Sequence, residues 1–230
     1  LKPDEGSHGD GFYKFTYEDG KYQLNYQDVT KQQVLDILED INNQYLVTEY
    51  INMCDELKAV YDGAVNTVRM IVFKKDGKNP QIGNAYVRFG SKKTGAVDNV
   101  GAGGMTATID VATGHFHDAK IVLNNSIEDC PIHPDTGVPI DGYLPHWEQV
   151  KQQVLDVTKS IKQLEFFGVD LAVTNDGIKF PEINRFPDYP AVEKYTKPTR
   201  EYLLYKLAGK KHHYGYDVTP NKTLVHLPKR

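Results

Sequence analysis

Apolar and polar residues alternate along much of this 230-residue chain, which is the period of strands that bury one face. FYKFTY and KYQLNY alternate on either side of Glu18-Asp19-Gly20 and predict a hairpin. Val65 to Lys74 predicts a strand with Asn66, Val68, Met70 and Val72 on one face and Thr67, Arg69 and Ile71 on the other. Lys75-Asp76-Gly77 turns it toward a partner near Ile82 to Arg88. Met105 to Asp110 and Phe116 to Leu123 pair across Thr113-Gly114. Val169 to Thr174 and Ile178 to Ile183 pair across Asn175-Asp176-Gly177. The run YLVTEYI, residues 45 to 51, reads as a buried strand linking two parts of the molecule, with a hinge at Glu49 to Asn52.

A longer period appears in three places. Val34, Leu35, Leu38 and Ile41 predict a helix from Val29 to Asn42, opened by a Thr30/Gln33 capping box. Trp147, Val150, Val154, Val157, Ile161 and Leu164 predict a long helix from His146 to Phe166. A shorter helix is expected from Thr199 to Lys206. Residues 52 to 64 read as irregular, 90 to 104 as a glycine-rich loop, 124 to 145 as a turn-rich insertion, and the chain from Lys210 as a polar tail. There is no internal repeat.

An apolar share of 40% and an aromatic share of 11% support a true core. The net charge of −4 comes without a basic block, so nothing points to nucleic acid. No apolar run is long enough to span a membrane, and no signal peptide is visible. Two cysteines, Cys54 and Cys130, make neither a disulfide framework nor a zinc site, so both are expected reduced and inert in the cytoplasm. The chain opens with Leu-Lys-Pro rather than Met and reads as a piece of a longer protein, with a preceding domain or partner segment missing.

Candidate chemistry gathers on the last hairpin. Glu182 and Asn184 are in phase on the returning strand, and folding at Asp176-Gly177 brings Asp170 alongside them. Two carboxylates and an amide carbonyl are hard oxygen donors of the kind that suit Mg²⁺, which keeps its remaining positions for water and phosphate. One such acid alone is more often solvated; an E-x-N pair opposite an Asp, on a hairpin flanked by apolar residues, reads as a site. Lys2 precedes a loop, GSHGDG, whose backbone N–H groups can close around phosphate oxygens. It is not a Walker A loop, because no GK[ST] follows, and taken alone it reads as an ordinary connection. Arg69 and Arg88 would singly read as surface ion-pair arginines, but they lie on apolar strands beside a glycine-rich loop. His115 and His117 share a strand face with no third ligand in sight and read as surface residues. His133 in HPDTG reads as a turn-stabilising histidine, and Trp147 as core. No Ser, Cys or His triad is evident.

Taken together, LKP with GSHGDG, VTEYI, VNTVR, YVRFG, VDNVGAGG, HPDTG, and GVDLAVTNDG with EIN resemble the ATP-grasp superfamily, most closely its sugar-transfer-associated branch. The ribosomal-protein glutamate ligases show a similar run. The resemblance implies an α+β fold of two lobes with antiparallel sheets and flanking helices, with a partial first lobe over 1–51, a second lobe over 52–208 and a tail over 209–230. It implies that Lys2 reaches the phosphates of ATP and that Gly6, Ser7 and Gly9 close over them. Glu49 and Ile51 would pair with adenine through their backbone, and Asp55 or Glu56 would hold the ribose. Arg69, Arg88 and Asn99 would face the reacting group, with Gly103-Gly104 lining the same site. Asp170, Glu182 and Asn184 would bind Mg²⁺. The implied activity is an ATP-dependent carboxylate–amine ligase acting on a small-molecule or glycan-linked acid and an amine. A kinase and a non-catalytic nucleotide-binding module are the alternatives.

Overall fold

The computed structural model describes residues 1–3, 11–41, 45–74, 77–123, 126–185, 187, 199, 202 and 203. In chain order its elements are β1 (Lys2–Pro3), β2 (Phe15–Glu18), β3 (Lys21–Leu24), β4 (Gln27–Val29), α1 (Lys31–Asp40), β5 (Tyr45–Leu46) and α2 (Asp55–Val60). There follow β6 (Val68–Lys74), β7 (Pro80–Phe89), β8 (Met105–Ile109), β9 (His115–Leu123), β10 (Ser126–Asp129), β11 (Gly142–Tyr143), α3 (Trp147–Ser160), β12 (Phe166–Thr174) and β13 (Gly177–Asn184). Every strand pairing is antiparallel, and the helices flank the sheets, so the fold is α+β.

One large sheet dominates, in the order β10-β9-β8-β7-β6-β12-β13, with β11 added against β9. Its two faces differ in kind. Val68, Met70, Val87, Ala107, Val169 and Leu171 point to one side and pack against Trp147, Val150 and Val154 of α3 and Leu57 and Val60 of α2. The other side carries a polar row that crosses six strands in register: Glu182, Asp170, Arg69, Tyr86, Thr108 and His117. A second row, Thr67, Arg88, Thr106 and Lys120, runs beside it. Alternation in the sequence thus becomes a division between a core face and a site face.

The segment before Met53 contributes no fully buried side chain among the described residues. It comprises the β2-β3-β4 meander, the β1-β5 pair and α1, whose Thr30/Gln33 capping box forms as expected. The meander turns at Asp19-Gly20, both at positive φ, as a tight hairpin requires.

Four expectations from the sequence are corrected here. The run 45 to 51 is not a buried strand. Only Tyr45–Leu46 pairs, with Lys2–Pro3, and Val47 is 81% exposed. Leu46 and Tyr50 are exposed as well. The segment 52 to 64 is not wholly irregular, because Asp55–Val60 forms α2. That helix is one and a half turns long, with two acids at its positive end and Leu57 and Val60 on its buried side. The long helix stops at Ser160 instead of Phe166. The Lys74 ammonium caps the Ile161 carbonyl there, and the Lys74 N–H bonds the Glu165 carbonyl, drawing the chain into β12. Ile161 and Leu164 still pack against the core, which is why the apolar period outruns the helix. Finally, three short strands, β4, β10 and β11, lie in stretches without a strand pattern. Most of the expected helix from Thr199 to Lys206, and the tail from Lys210, lie outside the described residues.

Candidate active site

The site is built where β6, β7, β12 and β13 lie side by side. Asp170 stands directly opposite Glu182 on one neighbour and Arg69 on the other. Arg69 grips Asp170 with two parallel bonds of 2.6 Å, Nε to Oδ1 and a terminal nitrogen to Oδ2. This two-pronged geometry is one that arginine makes and lysine does not. Arg88 adds a third bond to Asp170 Oδ2 at 2.9 Å. All of this is sheltered, since the Arg69 and Asp170 side chains are 10% and 4% exposed. Burial opposes the charge on Arg69, but the hydrogen bonds and negative charge of Asp170 outweigh it and hold the guanidinium more firmly protonated than usual.

Glu182 is set by an irregularity. Asp170 pairs with Glu182 and Ala172 with Lys179, so β13 carries one extra residue at Phe180-Pro181. Pro181 cannot donate to the ladder, and a bulge is where a strand tolerates it. The bulge puts Glu182 and Lys179 on the same face, three residues apart. Asn184 follows two positions on. With its amide nitrogen toward Glu182 Oε1 (2.7 Å), its oxygen accepts from Arg69 (3.1 Å), and both ends are satisfied.

The first part of the chain reaches this strand at two points. Lys2 Nζ lies 3.5 Å from the Pro181 carbonyl, beside Glu182. Glu49 meets Lys179 Nζ at 2.6 Å, and that hydrogen bond and charge hold its carboxyl below the usual range. The Glu49–Lys179 contact and the Glu182–Asn184 end are therefore separated by three to five residues of β13, about 10–17 Å. An extended nucleoside triphosphate has comparable length.

The glycine-rich loop closes the β7 end. Asn99 Oδ1 accepts the Gly101 N–H at 2.9 Å, and its carbonyl accepts from Ala102 and Gly104. The Asn99 side-chain oxygen therefore shapes the loop. HPDTG holds the loop from outside: His133 Nε2 lies 2.9 Å from the Gly90 carbonyl, and Asp135 accepts the Lys92 N–H at 2.8 Å. The His133 Nδ1 accepts the Asp135 N–H, which assigns the ring proton to Nε2, and the buried ring stacks on Tyr61. His133 is the turn-stabilising residue that the sequence indicated.

The structure thus brings together Lys2, Arg69, Arg88, Asp170, Glu182 and Asn184. Asp55 and Glu56 stand apart, exposed on the first turn of α2, where the Asp55 N–H bonds Asn175 at the hairpin tip. Ile51 is half-buried. Gly6, Ser7 and Gly9 lie outside the described residues. His115 and His117 stack on each other at the far end of the sheet, paired with Asp141 and Asp118. Burial pushes the Cys54 thiol up to about 12, so it stays protonated. Three contributors lacked an assigned role in the sequence. Thr67 and Tyr86 sit two positions from Arg69 and Arg88 on the same face, and Asp98 precedes Asn99. Alternation was the signal for the first two. For Asp98 the only signal was adjacency.

The donor set fits Mg²⁺. Asp170 and Glu182 are two carboxylates on neighbouring strands, Asn184 supplies an amide oxygen, and the remaining positions would fall to phosphate and water. Among the described residues no group of three or more His, Cys, Asp or Glu side chains gathers.

The family model described as sugar-transfer associated ATP-grasp matches residues 1–191. The chain belongs to the sugar-transfer associated ATP-grasp family. Neither a curated protein nor a solved structure matched. Membership in this ATP-grasp family points to ATP-dependent chemistry of the ligase or kinase type, and ATP-grasp proteins in general bind ATP and Mg²⁺. No described helix is long and apolar enough to cross a membrane.

Proposed function

We propose that this ATP-grasp protein is a carboxylate–amine ligase that activates an acid as its acyl phosphate. The observation that carries the reading is the convergence of Arg69 and Arg88, from adjacent strands, on the carboxylate opposite Glu182. Phosphoryl transfer needs positioning and charge neutralisation more than covalent help. Arg69 and Arg88 supply forked donors for a carboxylate or a phosphoryl group, and Lys2 supplies a point charge beside Glu182. Bound Mg²⁺, held by Asp170, Glu182 and Asn184, would neutralise phosphate charge. Asn99, through the loop it organises, sets the backbone donors near the reacting group.

Among the described residues, two candidate bases, Asp170 and His133, are not free to act. Asp170 is engaged by two guanidiniums, and His133 is buried under the loop. Phosphorylating an alcohol benefits from a base, whereas a carboxylate is already ionised near pH 7. This favours the ligase over the kinase. The family description ties such proteins to sugar transfer, so we place the acid or the amine on a sugar or glycan, in a cell-surface polysaccharide pathway supplied with ATP in the cytoplasm.

Hydroxylamine tests the reading. Incubated with ATP, Mg²⁺ and sugar acids, the protein is expected to release ADP and convert one acid to its hydroxamate. Arg88→Lys should lower that yield by about ten-fold or more, since lysine cannot make the forked contact. A phosphate ester inert to hydroxylamine, formed without any amine, would replace the ligase by the kinase.

A further inference from the structure

Arg88 is shared between two carboxylates of different fates. It reaches Asp170 Oδ2 at 2.9 Å and Asp98 Oδ2 at 3.4 Å. Asp170 belongs to the cation's donor set, and Asp98 does not. Asp98 sits in the glycine-rich loop, where its Oδ2 accepts both the backbone N–H of Thr67 at 2.8 Å and the Thr67 hydroxyl at 2.5 Å. A hydroxyl has one proton and two lone pairs. Having given its proton to Asp98, Thr67 turns its lone pairs to Arg88, accepting from Nε at 3.0 Å and from a terminal nitrogen as well. The direction of the chain Arg88 to Thr67 to Asp98 is therefore fixed by the carboxylate at its end.

The three side chains are on different pieces of backbone. Thr67 lies just before β6, Arg88 is on β7, and Asp98 is in the loop that also carries Asn99. Their contacts lock the loop to the arginine. Together Arg69 and Arg88 match Asp98 and Asp170 in charge. When a divalent cation draws on Asp170, Asp98 is the counter-charge left to Arg88.

We propose that Asp98, acting through Thr67, is a positioning residue that keeps Arg88 aimed at the reacting group while Asp170 serves the metal. The inference rests on reading the site as one for phosphoryl transfer. It adds a loop residue whose role is to keep one arginine in place through the change in charge that nucleotide brings.

The test is the solvent exchange of arginine Nε–H groups in the ¹⁵N-arginine-labelled protein, with Arg88→Lys identifying the Arg88 signal. In the native protein the Arg88 signal should exchange slowly and persist when Mg-ADP is added. In Asp98→Asn with Mg-ADP it should exchange about ten-fold faster, because the carboxylate that anchors the Thr67 hydroxyl accepting from Nε is gone, with the Arg69 signal unchanged. Thr67→Val removes the hydroxyl link without touching the charge and should act in the same direction, so a poorly folded Asp98→Asn would not end the test. Unchanged Arg88 exchange in both variants, or equal acceleration of Arg69 and Arg88, would overturn the proposal. If Mg-ADP shifts no signal, the nucleotide reading fails by itself. The ligand-free proteins then decide the positioning role, with faster Arg88 exchange in Asp98→Asn supporting it and no change refuting it.

Discussion

Asp170→Ala is expected to lose about 3–5 kcal/mol of stability, the usual result of removing one partner from a buried ion pair. The substitution leaves Arg69 sheltered without a carboxylate and Arg88 with Asp98 alone. Arginine cannot shed its proton to escape, and with Asp170 gone the main offset to the burial of its charge is lost. For a chain of this size the melting temperature should fall by about 6–20 °C. Glu182→Ala is the control. Glu182 is exposed, so its loss should cost within about 0.5 kcal/mol. Scanning calorimetry of both variants checks the account. Equal melting temperatures for Asp170→Ala and the native chain would show that the Arg69–Asp170–Arg88 cluster does not form in solution.

Gly104→Ala should damage the loop, which has no room for a methyl there. A Cβ there would lie 2.8 Å from the Phe89 carbonyl oxygen and 2.9 Å from that of Asn99, both backbone atoms that cannot swing away. The Gly104 N–H also bonds the Asn99 carbonyl, so relief of the clash breaks the turn that Asn99 organises. The expected cost is about 1–3 kcal/mol, in the range of overpacked sites. Because Asp98 moves with Asn99, a loss of hydroxamate yield beyond the loss of folded protein should accompany it. Gly95→Ala is the comparison: Gly95 has φ +66 and nothing within 4 Å, so only backbone strain of about 1–2 kcal/mol applies. Urea unfolding that ranks Gly95→Ala above Gly104→Ala would contradict the packing argument.

The legible parts of this fold were those in which one local signal and one period agree. The Asn175-Asp176-Gly177 turn set the pairing from Thr174–Gly177 to Ala172–Lys179, and the bulge beyond it sets Asp170 across from Glu182. Thr30 and Gln33 marked the start of α1 within a residue. Alternation in VNTVR put Thr67 and Arg69 on the site face. Apolar character alone misled. YLVTEYI looks like a core strand, but only Tyr45–Leu46 pairs, and Leu46, Val47 and Tyr50 are exposed. Ile161 and Leu164 extend the stripe of α3 beyond its last turn because a connection can also bury apolar side chains. The helix α2 was too short to show a period. Two features of the site needed the third dimension. The bulge at Phe180-Pro181 is announced only by a proline inside a strand. Asp98 meets Thr67 and Arg88 across a loop, where no period relates the three.

Calorimetric titration with ADP, in the presence and absence of Mg²⁺, tests the central claim that Asp170, Glu182 and Asn184 form a metal-dependent nucleotide site. The native protein should bind with Mg²⁺ and weaken by about ten-fold or more without it, and Glu182→Gln should lose most of the metal's benefit because one anionic oxygen ligand is gone. Equal affinity with and without Mg²⁺, or Mg²⁺-dependent binding untouched by Glu182→Gln, would contradict it.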